Sequence, residues 1–298
     1  MTPGAVVDAH MHLWDLSRFR YPWLGDDGSA ALRHDYLVAD WRRDTDGVDL
    51  AGVVHVQAEL DHTLDPVLET AWLDSLVRNG SGVPTVCVGY ADLRAPDLDD
   101  VLDRHQEYGM FRGIRQQAWY DPGSVRADVP RDNLLDDDRF GAGLDRLAAR
   151  GLSFDLQVWP HQLAQATAVC RARPELTVVL EHTGLPPTDP ADRDGWRAGL
   201  RRFAREVPRS VLKISGLRFV SPDWDLRVLR PVVDDAVAAF GPDRCMFGSN
   251  FPVDRLSTGY RALWRSYDAM TGAYRPHERD QLLRGTASRT YRIGDATG

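Results

Sequence analysis

Ala5-Val6-Val7-Asp8-Ala9-His10-Met11-His12 is an apolar run that begins almost at the first residue and carries two imidazoles at its end. In an extended strand side chains alternate between faces. Asp8, His10 and His12 are therefore expected on one face, and Val7, Ala9 and Met11 on the other. Two imidazoles at the exit of a buried strand are costly unless they are hydrogen-bonded in the core or put to chemical use. Working outward, seven more β-like runs follow, at 51–58, 85–91, 111–117, 153–159, 177–182, 211–215 and 245–249. Stretches with helical spacing lie between them, among them 66–78, 97–108, 138–150, 162–173, 196–206 and 226–240, as the placing of Leu98, Val101 and Leu102 illustrates. Strand alternating with helix implies an α/β fold with a parallel sheet, because parallel neighbours need a crossover. Eight such units without an internal linker predict a single (β/α)8 TIM barrel spanning residues 1–298. An open doubly wound sheet is the weaker reading, since no glycine-rich phosphate loop follows the first run.

Two connections exceed the usual few residues, 13–49 and 118–133, and both leave the carboxyl ends of strands, where barrel sites are built. The first is rich in aromatics: Trp14, Phe19, Tyr21, Trp23, Tyr36 and Trp41. Long loops at the C-terminal face are expected to cap a pocket or pack against the rim.

With 298 residues, 43% hydrophobic and 27% charged, the composition is that of a globular protein. A net charge of −8 argues against nucleic-acid and anionic-membrane partners. No apolar stretch is long enough to span a bilayer, and Met1-Thr2-Pro3-Gly4 lacks the pattern of a secretion signal. Cys87, Cys170 and Cys245 are scattered and odd in number, which fits a reducing compartment. A cytoplasmic protein with a small-molecule partner is the expectation. Trp224, Trp264 and Tyr267 are read as solvent-side aromatics that would favour a homo-oligomer.

Lys213 is the only lysine among 36 basic residues, inside the apolar run Val211-Leu212-Lys213-Ile214-Ser215. A compact ammonium retained where arginine is otherwise universal fits a tight site, or an amine that snorkels to a strand end. Other runs also end in polar groups. Run six ends in His182, and run eight in Asn250 before Phe251-Pro252. Run five sets Asp155, Gln157 and Trp159 on one face, and run four ends in Arg115 and Gln116. Gln57 stands at the end of run two. Such clustering at equivalent strand positions is more than packing alone requires. Glu181, of opposite parity to His182, is expected to face the helices.

The segments Asp8-Ala9-His10-Met11-His12-Leu13-Trp14, Val56-Gln57-Ala58-Glu59, Gly113-Ile114-Arg115, Phe154-Asp155-Leu156-Gln157, Glu181-His182-Thr183-Gly184-Leu185-Pro186, Lys213-Ile214-Ser215-Gly216-Leu217 and Met246-Phe247-Gly248-Ser249-Asn250-Phe251-Pro252 occur in one order along nearly the whole chain. Together they resemble the amidohydrolase superfamily, in the amidohydrolase-2 branch that contains sugar lactonases and a pyrone-dicarboxylate lactonase. The resemblance implies a TIM-barrel hydrolase. In that branch an Asp of the last strand deprotonates water or ligates a divalent ion, and this chain has Asn250 there. An amide cannot accept a proton near neutral pH. Asp254, Asp155 and His182 are the remaining candidates for the base.

His10, His12 and His182 would suit one zinc-like divalent ion, whereas loss of the Asp favours the metal-free relatives of the branch. The expected reaction is hydrolysis of a small cyclic ester, sugar-derived or from ring cleavage, by water attack at the carbonyl. Lys213, the metal or protonated histidines would hold the oxyanion. Arg115 would bind carboxylate or hydroxyls, or else form a surface ion pair, while Gln57, Gln116 and Trp159 would contact the substrate. The rivals are a metal-dependent non-oxidative decarboxylase of the same superfamily and a barrel that binds without turnover.

Overall fold

A computed structural model describes residues 5–124, 126 and 129–294. Met1–Gly4, on which the reading of the N-terminus rests, lies outside them. Eight parallel strands follow one another in chain order: β1 (Val6–Met11), β2 (Leu50–Val56), β3 (Val86–Gly89), β4 (Phe111–Arg115), β5 (Ser153–Leu156), β6 (Thr177–Leu180), β7 (Ser210–Ile214) and β8 (Cys245–Phe247). Beyond the strand ends, Phe251 bridges Met11, and Asn250 N–H donates to His10 O at 2.7 Å, which draws β8 onto β1. The outcome is the expected (β/α)8 barrel.

The helices α1 (Val38–Thr45), α2 (Val67–Arg78), α3 (Leu98–Gln106), α4 (Asp138–Ala149), α5 (Leu163–Arg171), α6 (Arg193–Glu206), α7 (Leu226–Phe240) and α8 (Tyr260–Thr271) wrap the sheet. The 13–49 connection is thus not wholly irregular: it holds two 3-10 turns, Pro22–Gly25 and Asp27–Leu32, and then α1. Trp264 and Tyr267, read as solvent-side, are fully buried in α8. Their rings meet at 5.4 Å, and Tyr267 also packs on Phe247 of β8. The helical spacing that exposes one face of α8 turns these two inward, so they offer no contact surface.

Two apolar layers result. Outward-facing residues such as Ile114, Phe154, Leu156, Leu180, Leu212, Ile214 and Phe247 pack under the helices. Inside the barrel, Val7, Ala9, Val54, Val56, Val86, Val88, Val179 and Met246 form a separate cluster, joined by Ala287 and Tyr291 of the C-terminal helical segment. One irregularity in this lining positions the site. Asp8 pairs with Val53 and Met11 with His55, three steps on β1 against two on β2. The extra residue is a β-bulge, which breaks the alternation. Ala9 and His10 both turn inward, while Asp8 points out to accept from Tyr260 OH at 2.9 Å and Ser249 N–H at 2.8 Å. The expectation that Asp8 shares a face with His10 fails for this reason.

Candidate active site

His10 and His12 stand at the carboxyl end of β1 with their Nε2 atoms 3.1 Å apart. Gly248 lets this end of the barrel close, since a Cβ there would sit 2.6 Å from His10 Cβ. His12 Nδ1 lies 2.7 Å from Val56 O, an atom that only accepts, so in the neutral ring the proton is on Nδ1 and the lone pair on Nε2. His10 Nδ1 lies 3.0 Å from Glu181 Oε1 outside hydrogen-bond geometry, a contact whose negative charge favours a proton on Nδ1. Burial lowers the pKa of both rings well below the ordinary range; Glu181 opposes this at His10 and is outweighed. With both protons on Nδ1 the two buried Nε2 lone pairs face each other, an arrangement that fits a cation between them; with the proton of His10 on Nε2 the same contact is a hydrogen bond.

Glu181 occupies the middle of the ion network, contrary to the parity expectation. Val179 faces the interior and Leu180 the helices, so Glu181, next in the alternation, faces inward. His182 would then point out, but its φ of +50° turns the chain and brings the ring back toward the mouth. Gly216, at φ +62°, leaves room for that ring: a Cβ would lie 2.7 Å from His182 Nδ1. Glu181 Oε2 accepts from Arg115 Nη1 at 3.1 Å, and Oε1 faces Lys213 Nζ at 3.3 Å. Burial alone would raise its pKa, but His10, Arg115 and Lys213 hold it well below the usual carboxylate range. Lys213 also donates to Asp155 Oδ2 at 2.6 Å, which accepts from Tyr291 OH at 2.7 Å. Lys213 and Asp155 are fully buried beneath the mouth and do not line the pocket.

Above this network lies a small pocket of about 70 Å³ that opens to solvent. His12, His182, Asn250 and Arg115 line it, with Glu59, Gln117 and Gln157 as further polar residues and Trp23, Trp119 and Phe219 as aromatic ones. His182 Nδ1 pairs with Ser215 Oγ at 3.0 Å, and burial lowers its pKa to about 4, so the ring is neutral at pH 7. Asn250 Nδ2 donates to Asp254 Oδ1 at 2.8 Å, which leaves the amide oxygen for the pocket. Asp254 lies behind Asn250 rather than in the pocket, and burial pushes its carboxyl up to about 7. His10, Glu181 and His182 also present ligand atoms within 4.8 Å of one another. Both Glu181 oxygens are engaged with cations or with His10, however, which suits it to orienting His10.

The three remaining sequence candidates are placed outside the pocket lining. Gln57 is fully buried, and its Oε1 accepts from Glu59 N–H while its Nε2 faces Glu59 Oε1. Gln116 bonds Leu93 N–H and Asp92 beside an adjoining groove. Trp159 stacks behind Trp119 with ring centroids 5.2 Å apart.

A (β/α)8 barrel with buried histidines at its carboxyl mouth and an ion network beneath them is an enzyme scaffold whose chemistry sits at that mouth. The chain belongs to the amidohydrolase family, whose model (Amidohydro_2, described as amidohydrolase) matches residues 7–293, and it is a hydrolase. An uncharacterised protein of Sinorhizobium fredii (strain NBRC 101917 / NGR234) is 36% identical over 300 residues, covering 98% of this chain and 100% of that one. An L-fucono-1,5-lactonase of Burkholderia multivorans (strain ATCC 17616 / 249) is 34% identical over 306 residues, 97% of each chain. A crystal structure of a Burkholderia multivorans amidohydrolase with bound zinc is similar with a TM-score of 0.82 and 32% identity, covering 97% of this chain and 100% of that one.

Proposed function

We propose that the protein hydrolyses a small sugar-derived lactone, with one zinc-like ion in the site. The observation that carries the reading is the pair of buried, neutral imidazoles whose Nε2 atoms face each other at 3.1 Å beside a pocket lined by His182, Arg115 and Asn250. The likeness to a lactonase and to a zinc-containing amidohydrolase supports it. His10 and His12 through Nε2, with the amide oxygen of Asn250, would hold the ion. When bound, it supplies Lewis acidity next to the scissile carbonyl.

The chain's own residues do the rest. His182, neutral and held by Ser215, takes the proton of the attacking water. Arg115 is anchored by Glu181 and by Gln57 O, and its buried Nε–H has no partner among the described residues. That group is a free donor for the carbonyl oxygen as negative charge develops on it. When the ring C–O bond breaks, His182 returns the proton to the departing ring oxygen, giving a hydroxy acid.

Metal analysis of the purified protein with a pH-indicator screen over 1,5- and 1,4-lactones tests the proposal. Acid release from a lactone, lost on chelation and restored by zinc, is expected. CO₂ release from an aromatic carboxylate without lactone opening would favour the decarboxylase instead, and silence on both would leave a binding barrel.

A further inference from the structure

We propose that Glu59 is the specificity-determining residue of this site, reading the hydroxyl groups of the substrate. The inference rests on the lactonase reading for the identity of the pocket. Glu59 follows β2 at φ +59°, a left-handed conformation that is strained for a residue other than glycine or asparagine. Gln57 pins it there: Gln57 Oε1 accepts Glu59 N–H at 2.6 Å, and Gln57 Nε2 bonds Glu59 Oε1. The other oxygen, Oε2, meets His62 Nε2 at 3.2 Å, on a side chain 46% exposed. A costly backbone conformation is thus used to set a carboxylate between the pocket and the adjoining groove, both of which it lines.

The neighbouring groups sharpen the choice of ligand. Gln117 Oε1 and Gln157 Oε1 are buried pocket-lining acceptors without a partner among the described residues. With Glu59 they make one wall rich in acceptors, which calls for a ligand rich in donors. Hydroxyl groups are donors, whereas a second carboxylate on the substrate would be repelled by Glu59 on this wall. Trp23 supplies an apolar face for the C–H side of a sugar ring, whereas Trp119 is covered by Trp159 and by the Arg126 guanidinium. Arg115 and Arg126 line the pocket as well, so the choice of hydroxyls is made at the Glu59 wall.

Binding of non-hydrolysable lactams tests this without relying on turnover. Hydroxylated 1,5-lactams of gluco, galacto and L-fuco configuration are compared with δ-valerolactam by calorimetry on wild type, Glu59→Gln and Glu59→Asp. Wild type is expected to bind at least one hydroxylated lactam about tenfold to a hundredfold tighter than δ-valerolactam, the range for hydrogen bonds to a charged group. Glu59→Gln is expected to lose most of that ratio, and Glu59→Asp to keep part of it. An unchanged ratio in Glu59→Gln, or no preference in wild type, overturns the proposal. Should Glu59→Gln fail to fold, the wild-type preference and Glu59→Asp still decide. Hydroxyl-dependent lactam binding in a protein that opens no lactone would sink the hydrolase reading and leave this one standing.

Discussion

Glu181 Oε1 lies 3.0 Å from His10 Nδ1 and 3.3 Å from Lys213 Nζ, so one carboxylate both orients a site imidazole and neutralises the only lysine of the chain. Its second oxygen does the same for Arg115. All of these groups are nearly or fully buried, where an unpaired charge is expensive.

Replacing Glu181 by Gln leaves Lys213 and Arg115 as buried cations sharing too little negative charge. A loss of about 3–5 kcal/mol in unfolding free energy is expected, the range for breaking a buried pair. Activity falls as well, because His10 loses the partner that fixes its tautomer. Urea denaturation and turnover on the same preparation check both effects, and a stability within 1 kcal/mol (about the cost of an exposed pair) would contradict the network.

His182→Asn separates proton transfer from metal holding. In the proposed mechanism kcat falls at least about a hundredfold, in the range for loss of an acid–base group. Zinc stoichiometry and the circular-dichroism spectrum stay as in wild type. Loss of zinc together with activity would instead make His182 a ligand.

Acidic groups whose burial outweighs their cations predict how stability depends on pH. Glu69 accepts from Ala58 N–H at 3.1 Å, and burial pushes its carboxyl up from 4.5 to about 8. Between those values the folded chain holds a proton that the unfolded chain has released. Its contribution is therefore fully present below pH 4.5 and is lost as pH rises through 8, with a slope of at most about 1.4 kcal/mol per unit. Glu69→Gln keeps an acceptor for Ala58 N–H and has nothing to titrate. Urea midpoints at pH 6, 7 and 8 should fall for wild type and fall less for the variant, which becomes the more stable of the two at pH 8.

The barrel was legible because its signals are local and repeated. Each strand is a short apolar run, and α7 spans the same residues, Leu226–Phe240, that its spacing predicts. The site was legible in its residue types, less so in their directions. Alternation holds only while a strand is regular, and it breaks where the site histidines stand, in β1 by a bulge and just beyond β6 by the positive φ of His182. Counting from His182 therefore sent Glu181 to the wrong face; counting from Val178, Val179 and Leu180 would have sent it inward. Glu59 stood in a family-like segment, but its strained backbone has no signature in composition. Tyr291 reaches Asp155 from 136 residues away, a pairing that no local pattern encodes.

Asn250→Asp asks whether the amide limits the ion. Asn250 and Asp tolerate the observed φ of +54° comparably, so the exchange adds little backbone strain. It places a carboxylate beside His10 and His12, a stronger ligand than an amide oxygen for a divalent cation. It also sets that carboxylate against Asp254, whose pKa of about 7 allows it to be protonated and to donate in place of the lost Asn250 Nδ2–H. Zinc affinity measured by chelator competition should therefore rise, by about tenfold or more for an added charged ligand. Without metal, the two acids repel once both ionise, so the apo variant should lose stability above pH 7, the pKa of Asp254, where wild type has one carboxylate fewer. Unchanged zinc affinity with the same apo stability at pH 8 would mean that Asn250 does not face the histidine pair.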